Sequence, residues 1–165
     1  MGDEVWYATI VGVIVLSGLS IFYILYLAKM RRTKTNAAWK QAATELGLDF
    51  TPVTRIFGKY RMSGVIGKQL SCSVWAYTEP NGQGGYTTFM NYDVRFPQRL
   101  NKVKELLTPN IQSKLLEVNN VLKKVVVSDD SVNSIGMHGF IRKSEILVQN
   151  VKLLIQLAEL IIPNE

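Results

Sequence analysis

The chain has 165 residues, a formal net charge of +6 and a mean hydropathy of only +0.09. This length suits one small domain with an anchor and excludes two full domains. The single cysteine, Cys72, excludes an internal disulfide, and the single histidine, His138, excludes a multi-histidine metal site.

The first predicted element is a membrane-spanning helix over residues 5–28, which contain no charged residue. At 1.5 Å per residue this helix is about 36 Å long, enough to cross a hydrocarbon layer of about 30 Å. A secretory signal peptide would instead begin with basic residues and have a shorter apolar core. Aromatic residues of the kind that lie at membrane interfaces occur at both ends: Trp6, Tyr7, Tyr23 and Tyr26.

Charge on either side of this helix predicts its orientation. Asp3 and Glu4 lie before it, in a tail of residues 1–4, and every Lys and Arg of the chain lies after it. The positive-inside rule therefore predicts a single-pass protein of the inner (cytoplasmic) membrane, with its N-terminus outside and residues 36–165 in the cytoplasm. Residues 29–35 are predicted to form a basic juxtamembrane linker that meets anionic lipid headgroups rather than nucleic acid. Its basic residues are Lys29, Arg31, Arg32 and Lys34.

Small residues in the membrane segment predict contact with other membrane helices. Ala8 and Gly12 form a small-xxx-small step, and Ser17 and Gly18 form a second small patch. Such residues let helix backbones approach closely. The alternative is that Gly and Ser are simply common in membrane helices.

The remaining chain predicts an α+β domain with an antiparallel sheet and packed helices. A helix over residues 36–46, capped by Thr35 or Asn36, is expected to end at Gly47. Three strands follow, with a two-residue turn at Gly67 and Lys68 between the first pair. The predicted strands cover residues 55–66, 69–78 and 86–96; helices cover 100–107 and 110–118; a hairpin covers 121–127 and 131–141; and a last helix covers 144–162.

The last helix is unusually apolar. Its polar residues recur at spacings of three and four and form one narrow stripe, whereas a surface helix needs an apolar arc of only about 100°. The wide arc predicts cover on two sides, either by the other helices of the domain or by a partner protein. The candidates for partner binding are Val148, Leu153, Ile155, Leu160 and Ile162.

No pattern in the sequence predicts catalysis, a metal or a cofactor. Cys72 alternates with strand residues and is expected to be a small buried side chain. His138 is expected to have a structural role. The glycines of residues 82–85 lead into a strand rather than a helix, so they predict a hairpin loop and not a phosphate-binding loop. We therefore expect a protein that is not an enzyme.

Several positions together resemble an uncharacterised type of bacterial membrane-anchored α+β domain. They are Trp39 with the exit through Glu45 to Leu48, Gly58, Gly64 and Gly67, the threonines at 87 and 88, the leucines at 115 and 116, the valines at 125–127, and the segment ending at Leu160. The resemblance covers residues 36–160. It implies a bacterial α+β domain and implies no activity.

These features predict a non-catalytic accessory subunit of a larger membrane complex, for example an energy-transducing respiratory or photosynthetic one. Its expected partners are other membrane protein subunits and anionic lipid headgroups. The alternative is a membrane-tethered sensory or ligand-binding domain, which would require a concave pocket with a few convergent polar groups.

Overall fold

The computed structural model of the protein describes residues 2–55 and 58–162, and the side chains of residues 2–5, 8, 104, 137 and 138 are left out of the description. A long N-terminal helix leads into an α+β domain with a six-stranded antiparallel sheet in the order β1-β2-β3-β4-β6-β5. The elements are α1 (Gly2–Leu46), β1 (Asp49–Phe50), β2 (Arg61–Ile66), β3 (Leu70–Pro80), β4 (Tyr86–Arg95), α2 (Val103–Leu106), α3 (Pro109–Leu122), β5 (Val125–Val127), β6 (Ser131–His138) and α4 (Ser144–Ile161). The predicted fold class is confirmed.

Helix α1 runs without a break through residues 29–35, so the predicted start of a separate helix at Asn36 is wrong. The basic linker contains no Gly or Pro, and Lys, Met and Arg are good helix formers. Thr33 and Thr35 return their hydroxyls to carbonyls one turn back, at 3.1 and 2.9 Å. Because nothing interrupts the backbone hydrogen bonds, residues 29–35 continue the helix rather than linking two helices.

The end of α1 at Gly47 is as predicted. Gly47 has a φ of +69°, in the left-handed region that glycine adopts at little cost. The amide of Gly47 donates to the carbonyl of Thr44, and the amide of Leu48 donates to the carbonyl of Ala43. These two bonds form a Schellman motif, which stops the helix and turns the chain toward β1.

Strand β2 begins at Arg61 and not at residue 55, and part of the predicted strand, residues 56 and 57, lies outside the described residues. The stretch before β2 is a loop held against α1. Gly58 passes so close to a side chain of this loop that a Cβ added to it would lie 2.1 Å from Cγ1 of Val53. The turn after β2 has three residues rather than two, because Ile66 pairs with Leu70 and both Gly67 and Gln69 have a positive φ.

The second half of the domain follows the predicted order with shifted boundaries. The two predicted helices are present as α2 and α3, and Pro109 occupies the first turn of α3, where its missing N–H costs nothing. The hydroxyl of Thr108 caps that helix by accepting from the amide of Ile111 at 3.5 Å. Asp129 and Asp130 lie in the tight connection between β5 and β6, as predicted.

One face of the sheet is covered by helices and forms the core. Alternate residues of the central strands are buried there, including Cys72, Val74, Tyr92 and Val94. Helix α4 contacts α1, α3, β4 and β6. The second cover that its wide apolar arc predicts is therefore supplied by α1 and α3 of the same chain, which answers the alternative that the sequence left open.

A buried polar pair lies inside this core. Asn150 of α4 is only 2% exposed, and its amide donates to the hydroxyl of Tyr92 at 3.0 Å. Burial raises the pKa of Tyr92 to about 12, although the hydrogen bond from Asn150 opposes the shift. The pair fixes α4 to the central strand β4, since an unpartnered amide at this depth would be costly.

Candidate functional site

The apolar segment of α1, residues 5–28, has no cover within the described chain. An 18-residue window of the helix has a mean hydropathy of 2.4, and none of that window is buried. The helix is therefore long and apolar enough to span a membrane, and the apolar window is not buried in the domain. A signal sequence near the N-terminus has the same length and composition, so permanent anchorage stays a prediction.

The predicted interface residues lie at the two ends of this segment. Trp6 and Tyr7 are 68% and 69% exposed, and Tyr23 and Tyr26 are also exposed. One turn further along are the exposed side chains of Lys29, Arg31 and Lys34, together with half-buried Arg32. The aromatic and basic residues therefore form two bands on one unbroken helix, but no described contact tests their role at an interface.

Three of the four predicted helix-packing residues, Gly12, Ser17 and Gly18, can be placed, and they face open space in the described chain. The side chain of Ala8 lies outside the description. A Cβ added to Gly12 or Gly18 would meet no atom within 4 Å, and Ser17 is exposed. Packing against another helix at these positions stays a prediction.

The core segment of α1, residues 35–46, is fixed to the domain by side-chain bonds. Asn36 does not cap a helix, as the sequence suggested, but clamps the loop before β2. Its amide donates to the carbonyl of Val53 at 3.0 Å, and its carbonyl oxygen accepts from the amide of Val53 at 3.1 Å. One turn earlier, Nη1 of Arg32 donates to the carbonyl of Thr54 at 2.5 Å.

A cluster of four aromatic rings continues this attachment. Trp39 is fully buried, and its ring lies 5.4 Å from Tyr60 and 6.1 Å from both Phe50 and Phe140. Its indole N–H donates to the carbonyl of Ile141 at 3.2 Å. Trp39 therefore ties α1 to the loop before β2 and to the connection between β6 and α4 at the same time.

A pocket of about 370 Å³ lies where the apolar segment meets the domain, and we call it the junction pocket. Its lining combines the end of the apolar segment, basic residues of α1, and residues brought in by the domain. Burial raises the pKa of Tyr60, while the positive charges of Arg32 and Arg142 oppose the shift. The lining residues are Leu25, Ala28, Lys29, Arg31, Arg32, Thr35, Tyr60, Phe140 and Arg142.

The sequence predicted Lys29, Arg31 and Arg32 but missed the domain's share of this pocket. Tyr60, Phe140 and Arg142 are far from α1 in the chain and have no distinctive spacing. They are brought there by the aromatic cluster, which holds the connection between β6 and α4 beside α1. The sequence signal for a contact in this region was Trp39, because apolar residues recur at spacings of three and four along the predicted helix over residues 36–46 and mark that side as buried.

A larger cavity of about 670 Å³ lies on the other side of Tyr60 and Phe140. Its size falls in the range of small-molecule sites, and its walls are aromatic with a few polar groups. The hydroxyls of Thr78 and Thr88 lie 3.1 Å apart at one side of it. The remaining lining residues are Gly58, Lys59, Ala76, Tyr77 and Tyr86.

Of the two reactive side chains that the sequence singled out, Cys72 and His138, the structure describes that of Cys72. Cys72 is 1% exposed, and burial together with the charge of Asp93 raises the pKa of its thiol to about 12. The backbone of His138 lies at the end of β6, and its side chain is outside the description. Among the described side chains, no group of three or more His, Cys, Asp or Glu could hold a metal ion.

The predicted partner-binding residues of α4 fall into two groups. Val148 and Ile155 are buried in the core at 4% and 9% exposure, so the domain itself occupies their surface. Leu153 and Ile162 are partly buried against the core. Leu160 is 45% exposed and remains open to a partner.

The chain's resemblance to bacterial membrane-anchored domains rests on residues 36–160, which form most of the α+β domain. Comparison with known proteins gives no match to a family model, to a curated protein or to a solved structure. The resemblance therefore stays a prediction.

Proposed function

We propose that the protein is a non-catalytic accessory subunit of a larger membrane complex. In this proposal residues 5–28 span the membrane, and the α+β domain lies on the cytoplasmic side. The observation that carries the proposal is the continuity of α1, whose first part is uncovered and apolar and whose last part is buried in the domain core.

An unbroken helix gives the domain a fixed position relative to its anchor. If residues 29–35 were a flexible linker, the root-mean-square distance between its two ends would be about 15 Å, and its direction would vary. As a helix the same residues span about 10 Å along one direction. A fixed position favours docking against neighbouring subunits over the wide search of a tethered module.

The proposal leaves catalysis out because the groups that usually carry it are in unsuitable surroundings. A nucleophilic cysteine is activated by a lowered pKa, whereas the pKa of the Cys72 thiol is raised by burial. The strongly shifted groups, Cys72 and Tyr92, lie in the packed core rather than in a cleft.

The test is to purify the tagged full-length protein in a mild detergent and to measure the mass of what it elutes with. We expect a defined stoichiometric complex with other membrane proteins. Thr33→Pro should reduce recovery of that complex, because proline removes an amide hydrogen bond and kinks the helix. Thr33→Ala is the matched control and should leave recovery unchanged.

Membrane fractionation shows whether a loss of the complex comes from the kinked helix or from a loss of membrane anchorage. Thr33→Pro should still fractionate with membranes, since its apolar segment is unchanged. The proposal would be contradicted if the unaltered protein eluted alone as a monomer, or if Thr33→Pro assembled as well as Thr33→Ala.

The 670 Å³ cavity favours a second candidate, a membrane-tethered ligand-binding domain. Thr88→Trp should fill this cavity, while Thr87→Trp lies on the neighbouring position, which does not line it. Native mass spectrometry of the purified protein should then find a retained small molecule that Thr88→Trp loses and Thr87→Trp keeps. Absence of any retained molecule from the unaltered protein would contradict this candidate.

A further inference from the structure

The junction pocket has an apolar side and a positively charged side. A phospholipid has a matching apolar acyl chain and a negatively charged phosphate. Leu25 and Ala28 belong to the end of the apolar segment, and Arg31, Arg32 and Arg142 line the same pocket. An acyl chain needs the first kind of surface and a phosphate needs the second. The two occur side by side at the depth where a membrane helix passes from hydrocarbon to headgroups.

The basic side chains of this pocket have no acidic partners. Among the described residues, none of the five ion pairs involves Lys29, Arg31, Arg32 or Arg142. Several positive charges therefore line one pocket without an ion-pair partner among the described residues, and an anion bound there would be attracted to all of them. Arginine suits a phosphate well, because its planar fork can donate two parallel hydrogen bonds.

The pocket is built by the fold rather than by one flexible helix. Arg32 comes from α1 and is oriented by its bond to the carbonyl of Thr54. Arg142 comes from the connection before α4, directly after Ile141, whose carbonyl accepts from the Trp39 indole. The ring of Phe140 stacks on Trp39 with an interplanar angle of 12°. Arg32, Arg142 and Tyr60 all line this one pocket, although they come from three separate parts of the chain.

We propose that the junction pocket binds the phosphate headgroup of an anionic phospholipid from the membrane leaflet on the domain's side. Arg31, Arg32 and Arg142 contact the phosphate, and Leu25 and Ala28 contact the start of an acyl chain. This inference rests on the membrane anchorage proposed above and adds a specific lipid site to it. The bound lipid would join α1 to the connection before α4 and hold the domain against the bilayer.

The test uses the full-length protein in lipid nanodiscs of phosphatidylcholine, with and without phosphatidylglycerol. After extraction into detergent, native mass spectrometry counts the phospholipids that the protein retains. We expect phosphatidylglycerol to be retained about tenfold better than phosphatidylcholine, because both lipids carry the phosphate but only phosphatidylcholine adds a positive choline group, which the basic residues of the pocket repel.

Arg142→Gln should remove this preference, and Lys143→Gln should leave it unchanged. Lys143 is the adjacent residue, loses the same charge, does not line the pocket and makes no side-chain capping bond. The pair therefore separates a specific site from general attraction to an anionic surface. Arg31→Gln is a second test, since Arg31 is exposed and its loss should not affect folding.

Three results would overturn the site. They are equal retention of both lipids, equal loss in Arg142→Gln and Lys143→Gln, and displacement of the lipid by dissolved glycerol phosphate. The last result would show a site for soluble phosphates rather than for lipids. A protein that entered neither kind of nanodisc would contradict the anchorage itself, and that outcome is distinguishable because it appears before any lipid is counted.

Discussion

The two parts of α1 have the same backbone and opposite surroundings. In residues 5–28 the apolar residues lie on all sides of the helix, and most of the described side chains are exposed, including Phe22 at 70%. In the core segment the apolar residues form one stripe, and Trp39, Ala42 and Ala43 are at most 2% exposed. A helix that is apolar all round needs an apolar solvent, whereas a one-sided helix needs a partner surface.

This difference shows that the two parts of one helix can be stabilised separately, one by the domain core and the other by the surroundings of the apolar segment. The core segment is held by side-chain packing and by the Asn36 clamp, which belong to the domain. The hydropathy window of the apolar segment is not buried in the described chain, so this segment depends on what surrounds it. Changes in one part should therefore leave the other part intact.

The largest effect is expected from charges placed in the apolar segment. Val15→Arg combined with Leu19→Arg should cost about 6 kcal/mol of insertion free energy, since each arginine near a membrane centre costs about 3 kcal/mol. The protein should then leave the membrane fraction while its domain stays folded. Val15→Leu with Leu19→Val is the control and should integrate normally. If the arginine variant were still fully integrated into membranes, the division of α1 into a membrane segment and a core segment would be wrong.

Trp39→Ala is expected to destabilise the domain and to leave the membrane segment unaffected. Removing this buried ring should lower the free energy of unfolding of the domain by about 3–5 kcal/mol, and membrane integration should persist. Urea unfolding of the detergent-solubilised protein, followed by near-ultraviolet circular dichroism, measures the loss. The exposed neighbour Lys40→Ala should change stability by less than about 0.5 kcal/mol. If both variants lost a similar amount of unfolding free energy, this would argue against Trp39 as the residue that holds α1 to the domain.

Much of this division was predictable from the sequence, because periodicity reports burial directly. The charge-free run of residues 5–28, the stripe through Trp39, and the stop at Gly47 all have local physical causes. The strand order was also accessible, since turn residues and alternation separate the strands. Continuity of α1 was missed because Thr35 and Asn36 are good capping residues, and capping preference is weaker than an uninterrupted run of helix formers.

The junction pocket was only half predictable for a different reason. Lys29, Arg31 and Arg32 lie together in the sequence, so their charge is visible there. Arg142 joins them through tertiary contacts of Trp39 and Phe140, which no local pattern reports. Asn150 was likewise missed, because a polar residue outside the regular polar stripe of α4 has meaning only beside Tyr92.

A smaller effect is expected from the polar pair in the core. Tyr92→Phe removes the acceptor of the buried Asn150 amide and should lower the free energy of unfolding by about 1–3 kcal/mol. Adding Asn150→Leu should restore part of this loss, because neither partner is then left unpaired. The control is Tyr86→Phe, at a ring that is 76% exposed. If the double variant were less stable than Tyr92→Phe, the pairing account would be wrong.

The effect that is smallest at neutral pH is a dependence on alkaline pH that is confined to the domain. The pKa of Cys72 is raised from 9.0 to about 12, so the neutral thiol favours the folded state below pH 9. This stability is lost as the pH rises from 9 toward 12, at up to about 1.4 kcal/mol per pH unit. Urea unfolding at several pH values should therefore show a shallower decline for Cys72→Ala than for the unaltered protein. Parallel declines would show that this thiol does not titrate as described.

The most direct test of the unbroken α1 is a distance across residues 29–35. Spin labels at Ser20→Cys and Gln41→Cys, in a Cys72→Ala background and in nanodiscs, would lie about 32 Å apart along a continuous helix. Double electron–electron resonance should give one narrow distribution near that distance, and Thr33→Pro should broaden it. A broad distribution for the protein with Thr33 intact would contradict the fixed placement of the domain.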